Sequence, residues 1–155
     1  MSTPTLDLTD RRLLRLLQKN NRRGLRDLAE ELGISAPTCM RRMRRLESVG
    51  VIRAHAVLLD PARVGYGVTA FVEVTLVNAS GAEMAAFERR IIRCPEVVQC
   101  SELAGDTDYL LTVRVRQMQE FADFTRTRLG DDRRIRSYRS LLVLRQLKNE
   151  HELAL

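Results

Sequence analysis

Residues 35–61 read SAPTCMRRMRRLESVGVIRAHAVLLDP, with four arginines in the five positions centred on Met43. At about 100° per residue, Ala36, Cys39, Met40, Met43 and Leu46 fall within an arc of about 120°, the width of a buried helical stripe. Thr38, Arg41, Arg45 and Ser48 point the opposite way, and Arg42 and Arg44 lie on the flanks. The spacing predicts a helix over 36–48, capped by Ser35, with Pro37 tolerated in its first turn. Gly50 ends that helix. The following VIRAHAVLLD (51–60) is apolar and β-prone enough for a linking strand or wing, closed by Asp60-Pro61.

Towards the N-terminus, LDLTDRRLLRLLQKN (6–20) sets Leu13, Leu14 and Leu17 at helical spacing, with Asp7 or Thr9 to cap the start. After the polar break NNRRG, LRDLAEEL puts Leu25, Leu28, Ala29 and Leu32 on one stripe, and Gly33 stops it. A short helix, a glycine turn and a helix with a basic outer face make a helix-turn-helix. Its second helix enters the major groove, where arginine reaches guanine edges and Ser or Thr reaches bases or phosphates. The charge agrees: residues 1–60 carry a net +5 and residues 61–155 a net +1. Four crowded arginines repel one another without a partner, and double-stranded DNA is a fitting one. The bland alternative is a solvated basic surface.

The remainder has another rhythm. VTAFVEVTLV (68–77) alternates as a strand, with Glu73 and Thr75 on one face and Val72, Val74 and Leu76 on the other. GAEMAAFERRIIRC (81–94) spaces Met84, Phe87 and Ile91 as a helix; PEVVQCSELAG and YLLTVRV read as strands about a GDTD turn. QMQEFADFTRTRL (117–129) reads as a helix with Met118, Phe121, Ala122 and Leu129 inward, and IRSYRSLLVLRQLK as a last long strand. The order βαββαβ is ferredoxin-like, so the fold class is α+β: a winged helix-turn-helix followed by a four-stranded sheet with both helices on one face. Leu142 and Leu144 are candidates for the bare face, which needs another subunit to cover it. The expected divisions are 1–52 for the DNA-binding head, 53–67 for the linking strand and 68–155 for a ligand-binding and oligomerisation domain.

No apolar run approaches the roughly 18 to 20 residues needed to cross a bilayer, and the N-terminus lacks a signal-peptide core, so a cytoplasmic protein is expected. Three cysteines without a CxxC pair, beside two histidines, read as free thiols rather than a zinc site. No cofactor is expected.

The GDTD turn has two readings. Asp-x-Asp after Gly is common in plain turns. As a ligand site, backbone N–H groups would take an α-carboxylate, while Asp106 or Asp108 accepted an α-ammonium. A catalytic reading, with Asp106 and Asp108 as an acid/base pair, lacks any nucleophile motif, phosphate loop or metal cluster, and leaves the arginine face unexplained. A further alternative is an architectural or assembly protein that binds DNA without an effector.

In order and spacing, LDLTDRRLLRLLQ, LAEELGIS, RRMRRLESVGVI, LLDPARVG, ELAGDTDYLLTVRV and LLVLRQLK resemble the Lrp/AsnC (leucine-responsive, or feast/famine) family of transcriptional regulators, over Leu6 to about Lys148. The resemblance implies a winged helix-turn-helix joined by a strand near His55–Leu59 to a regulation-of-amino-acid-metabolism domain. It also implies homodimers, usually assembled into octamers, with an amino acid bound where dimers meet. Motif match puts base-reading positions at Ser35, Thr38, Arg41, Arg42 and Arg45, with Arg44 beside them. Effector positions fall on Ala104, Gly105, Asp106, Thr107 and Asp108, with Met118, Ser140, Leu141 and Leu142 from neighbouring segments. Gly24 departs from the usual Ser or Thr cap and Arg23 from an apolar residue. LGDDRRI replaces LPGV before the last strand, so nothing carries over near 130–135.

Overall fold

The computed structural model describes residues 4–155. The chain folds as two compact units: one reaches to Leu58 and takes in Lys148–Leu155, and the other spans Leu59–Leu147.

The first unit is three helices: α1 (Leu8–Lys19), α2 (Leu25–Leu32) and α3 (Ala36–Ser48). Asp7 caps α1, Ser35 caps α3, and Gly24 precedes α2 without a side-chain cap. Gly33 supplies the left-handed turn between α2 and α3 (φ 66°), letting Ile34 N–H reach Ala29 O at 3.0 Å. Leu13, Leu14, Leu28, Ala29, Leu32, Cys39 and Leu46 form the core, with Met43 and Leu17 against it. The end of the chain joins this unit. Leu155 packs on the same core, and Gln18 exchanges two hydrogen bonds with Leu153, at 3.1 and 2.7 Å.

The expected strand at 51–60 does not form; residues 53–60 run as irregular chain. A strand needs a ladder partner, and this segment finds none among the described residues. Val57, Leu58 and Leu59 are left exposed.

The second unit is an antiparallel sheet of β1 (Val68–Leu76), β2 (Val97–Glu102), β3 (Tyr109–Val115) and β4 (Ile135–Leu142), ordered β2-β3-β1-β4. α4 (Gly81–Ile91) and α5 (Met118–Phe124) complete it. Ala70, Val72, Val74 and Leu76 of β1 and Tyr109, Leu111, Val113 and Val115 of β3 form one buried face with Phe87, Ile91, Phe121 and Phe124 from the helices. Tyr109 stacks on Phe87 with ring centroids 4.7 Å apart, and its hydroxyl donates to Glu88 at 2.8 Å. Desolvation and that carboxylate both hold its pKa up.

Two expectations of facing are corrected. Met118 and Ala122 are exposed, and Phe124 is buried instead. Beyond Phe124 the chain winds as a π-helical turn (Thr125–Gly130), so Phe124 and Leu129, five apart, share the core. Leu142 pairs with Ala70 and so sits on the helix side of the edge strand, while Leu141 pairs with Phe71 on the bare face. Leu144 lies past the strand and is 98% exposed. The bare face is mixed in character: Glu73 takes a hydrogen bond from Arg139 at 2.7 Å beside the Phe71–Leu141 pair.

Candidate functional site

On α3 the arginine run divides in two. Arg41 and Arg44 are exposed and make no hydrogen bond or ion pair among the described residues. Arg42 and Arg45 turn back onto α1. Arg42 lies 2.6 Å from Asp7 and 2.8 Å from Asp10, and Arg45 also contacts the Asp10 carboxylate. The cause is Asp10, only 1% exposed: a carboxylate taken out of water requires cationic partners. Asp7 and Asp10 also form a capping box, with Asp10 N–H donating to Asp7 at 2.7 Å and Asp7 N–H to Asp10 at 3.2 Å. The backbone hydrogen bond from Asp10, followed by that of Arg42, holds the Asp7 carboxyl below its ordinary value. Repulsion within the run is therefore relieved for two arginines inside the chain. Of the four, Arg41 and Arg44 keep guanidinium groups free of partners among the described residues.

Ser35 and Thr38 sit at the start of α3. The Ser35 hydroxyl donates to Thr38 Oγ1 at 2.9 Å and accepts Thr38 N–H at 3.4 Å. This end of the helix, with Arg41 one turn on, offers donors and acceptors on one exposed side.

In the 104–108 turn the two aspartates have different lives. Asp108 bridges the sheet: its N–H donates to Val74 O at 3.1 Å, its C=O accepts Leu103 N–H at 2.8 Å, and its carboxylate accepts Leu76 N–H at 2.6 Å. Asp106 is exposed and carries no hydrogen bond or ion pair among the described residues. Ala104 and Gly105 are exposed and Thr107 half-buried. A side chain at Gly105 would meet no atom within 4 Å, so the backbone there is open to approach.

The register shows which residues one chain brings together. Tyr109, next to the turn, pairs with Val74; Val115, just before Met118, pairs with Val68. Ser140, Leu141 and Leu142 pair with Val72, Phe71 and Ala70. Val68 and Val74 are about 20 Å apart along a strand rising roughly 3.3 Å per residue. Within one chain the turn and Met118 thus lie towards opposite ends of the sheet, while Ser140–Leu142 sits mid-sheet on the edge strand β4, across β1 from β3.

Sequence reasoning missed the role of Asp10 and the whole of Asp132. Asp132 is buried and pairs with Arg134 at 2.9 Å and with Arg90 of α4. Burial pushes its carboxyl up, but the hydrogen bonds of Arg134 and the charge of Arg90 outweigh this, and the net shift is down. The available signal for Asp10 was the Asp-x-x-Asp spacing at a helix start. Asp132 left none.

Comparison with known proteins gives two matches to family models. One, described as the Lrp/AsnC ligand binding domain, covers residues 69–153; the other, a winged helix-turn-helix DNA-binding model, covers residues 6–53. The leucine-responsive regulatory protein of Rhizobium meliloti is 38% identical over 144 residues, spanning 93% of this chain and 92% of that protein. A transcriptional regulator from Neisseria meningitidis, crystallised as an L-Met complex, superposes with a TM-score of 0.89 at 33% identity and covers 97% of each chain. An AsnC family regulator from Agrobacterium tumefaciens superposes with a TM-score of 0.89 at 34% identity, covering 96% of this chain and 97% of its own.

Proposed function

The chain belongs to the Lrp/AsnC family of transcriptional regulators, and we propose how its parts divide the work of a DNA-binding regulator that is not an enzyme. The head reads double-stranded DNA through Ser35, Thr38, Arg41 and Arg44. Arg42 and Arg45 fix the pose of α3 against α1 and meet phosphates with the nitrogens left to them. The free Arg41 and Arg44 guanidinium groups on an exposed helix face carry this reading.

The second unit binds a small effector, an amino acid, with Ala104, Gly105, Asp106 and Thr107 around it and Asp108 holding the turn in place. An L-Met complex of a similar regulator supports an amino acid as the class. Met118 belongs to the same site only if it comes from another copy of the chain, because one sheet holds it at the far end from the turn, and Ser140–Leu142 joins it from that copy. A homodimer, assembling further to an octamer, supplies that second copy. It also covers Phe71 and Leu141 on the bare face and gives Val57–Leu59 a strand to pair with. No helix among the described residues is long and apolar enough to cross a membrane, and the proposed place of action is the cytoplasm with the DNA.

The test begins with a thermal-shift screen of the amino acids on the full chain. Sedimentation and selection of duplexes from a random pool follow, with and without the stabilising amino acid. A particle of one chain, with no enriched sequence and no amino acid changing stability or assembly, would refute the reading.

A further inference from the structure

Five arginines converge on one cavity of the second unit, about 450 Å3 in volume. Arg89 and Arg90 come from the last turn of α4, and Arg93 from the chain just beyond. Arg128 comes from the π-helical turn, and Arg134 from the approach to β4. Ala86, one turn before Arg90, leaves room between them, and the buried Cys94 completes the lining. No carboxylate lines the space. Asp132 is buried and pairs with Arg90 and Arg134, which fixes those two guanidinium groups. Glu96, which acts electrostatically on Cys94, lies outside the lining.

A purely structural account covers part of this. Cations in the last turn of α4 complement the helix dipole, which explains Arg89 and Arg90. It does not explain why Arg93, Arg128 and Arg134 gather from other segments at the same place. Arg89, Arg93 and Arg128 make no side-chain hydrogen bond or ion pair among the described residues, and the enclosed Arg90 Nε has no hydrogen-bond partner. Asp132 and the neighbouring Glu96 offer two negative charges against five guanidinium groups, which leaves a net positive cluster.

We propose that this cavity binds a small anion containing two or more linked phosphate groups, at a site sharing no residue with the 104–108 turn. Guanidinium groups grip phosphate oxygens in bidentate pairs, and five of them exceed what the single carboxylate of an amino acid can use. The volume falls within the roughly 300–1,000 Å3 of small-molecule sites. Arg89, Arg93 and Arg128 are exposed to solvent at the opening, so a small ligand can reach them directly.

Calorimetry on the full chain tests this with pyrophosphate, tripolyphosphate and a nucleoside diphosphate. The parent should bind each saturably, one per chain. Arg93→Ala and Arg128→Ala should each weaken binding about tenfold, the scale of one charge-assisted pair, without a change in melting temperature. An Arg41→Ala/Arg44→Ala variant separates the cavity from the basic head and should bind as the parent does. Equal affinity for the nucleotide and pyrophosphate assigns recognition to the phosphates alone; tighter nucleotide binding adds the nucleoside, and both outcomes support the site. The proposal fails if none of the three binds saturably at roughly 1 mM. It also fails if binding is lost in the head variant, or if Arg93→Ala and Arg128→Ala alter only the salt dependence of DNA binding, which would make the cavity a DNA contact.

Discussion

Arg42 on α3 donates to Asp10 on α1 across 2.8 Å, joining two helices through residues 32 apart in sequence. Asp10 is buried, and it also takes Arg45 and the Asp7 backbone N–H. The head is therefore pinned where α3 meets the start of α1. Removing Asp10 should act on folding before it acts on DNA. Asp10→Ala is expected to cost about 1 to 3 kcal/mol of head stability, because several donors lose one acceptor. Denaturant unfolding checks this; a change below about 0.5 kcal/mol, the range of a neutral surface substitution, would show that the cluster adds nothing.

Arg41 and Arg44 should behave in the opposite way. Replacing either by Ala leaves the melting temperature unchanged, since neither has an internal partner. DNA affinity should fall by about 1 to 3 kcal/mol for a base contact, or the salt slope by about one unit for a phosphate contact. Anisotropy titrations over a salt series distinguish the two, and unchanged affinity and slope in both variants would remove them from the interface.

The two aspartates of the turn separate structure from binding. Asp108→Ala takes the acceptor from Leu76 N–H and should destabilise the second unit by about 1 to 2 kcal/mol. Asp106→Ala should leave stability alone and weaken the effector by about 2 to 5 kcal/mol, the cost of leaving an ammonium group unpaired in a closing site. Calorimetry with the amino acid that stabilises the parent is the measurement. Normal binding by Asp106→Ala would reduce the segment to a turn.

Acid should loosen the second unit through Asp132. Its folded carboxyl lies below the ordinary 3.8, so its contribution is present above that value and lost as the pH falls through the folded one. Asp132→Asn should be less stable than the parent at neutral pH, and the two unfolding curves should converge in acid. Curves that stay parallel down to about pH 2 would show that the Arg90–Asp132–Arg134 cluster is not what titrates.

The helices of the head were legible in local sequence because each carries its own punctuation. Ser35 and Asp7 start helices, Gly33 stops one, and the leucines between mark the buried side. The alternation of Val72, Val74 and Leu76 likewise defined a strand and its inner face without knowledge of its neighbours. The ferredoxin-like order followed, since βαββαβ leaves few ways to close an antiparallel sheet.

What only the tertiary structure decided depended on a partner distant in sequence. Asp10 claimed Arg42 and Arg45 because packing α3 against α1 buried a carboxylate that needed cations, and helical periodicity alone placed those arginines at the surface. The register of β4 on β1 sent Leu142 to the helix side and Leu141 to the bare face. The π-helical turn after Phe124 put Phe124 on the core beside Leu129, while Met118 and Ala122 stayed exposed. The segment at 53–60, apolar and β-prone, stayed without a ladder because a strand requires a second strand, and composition does not supply one.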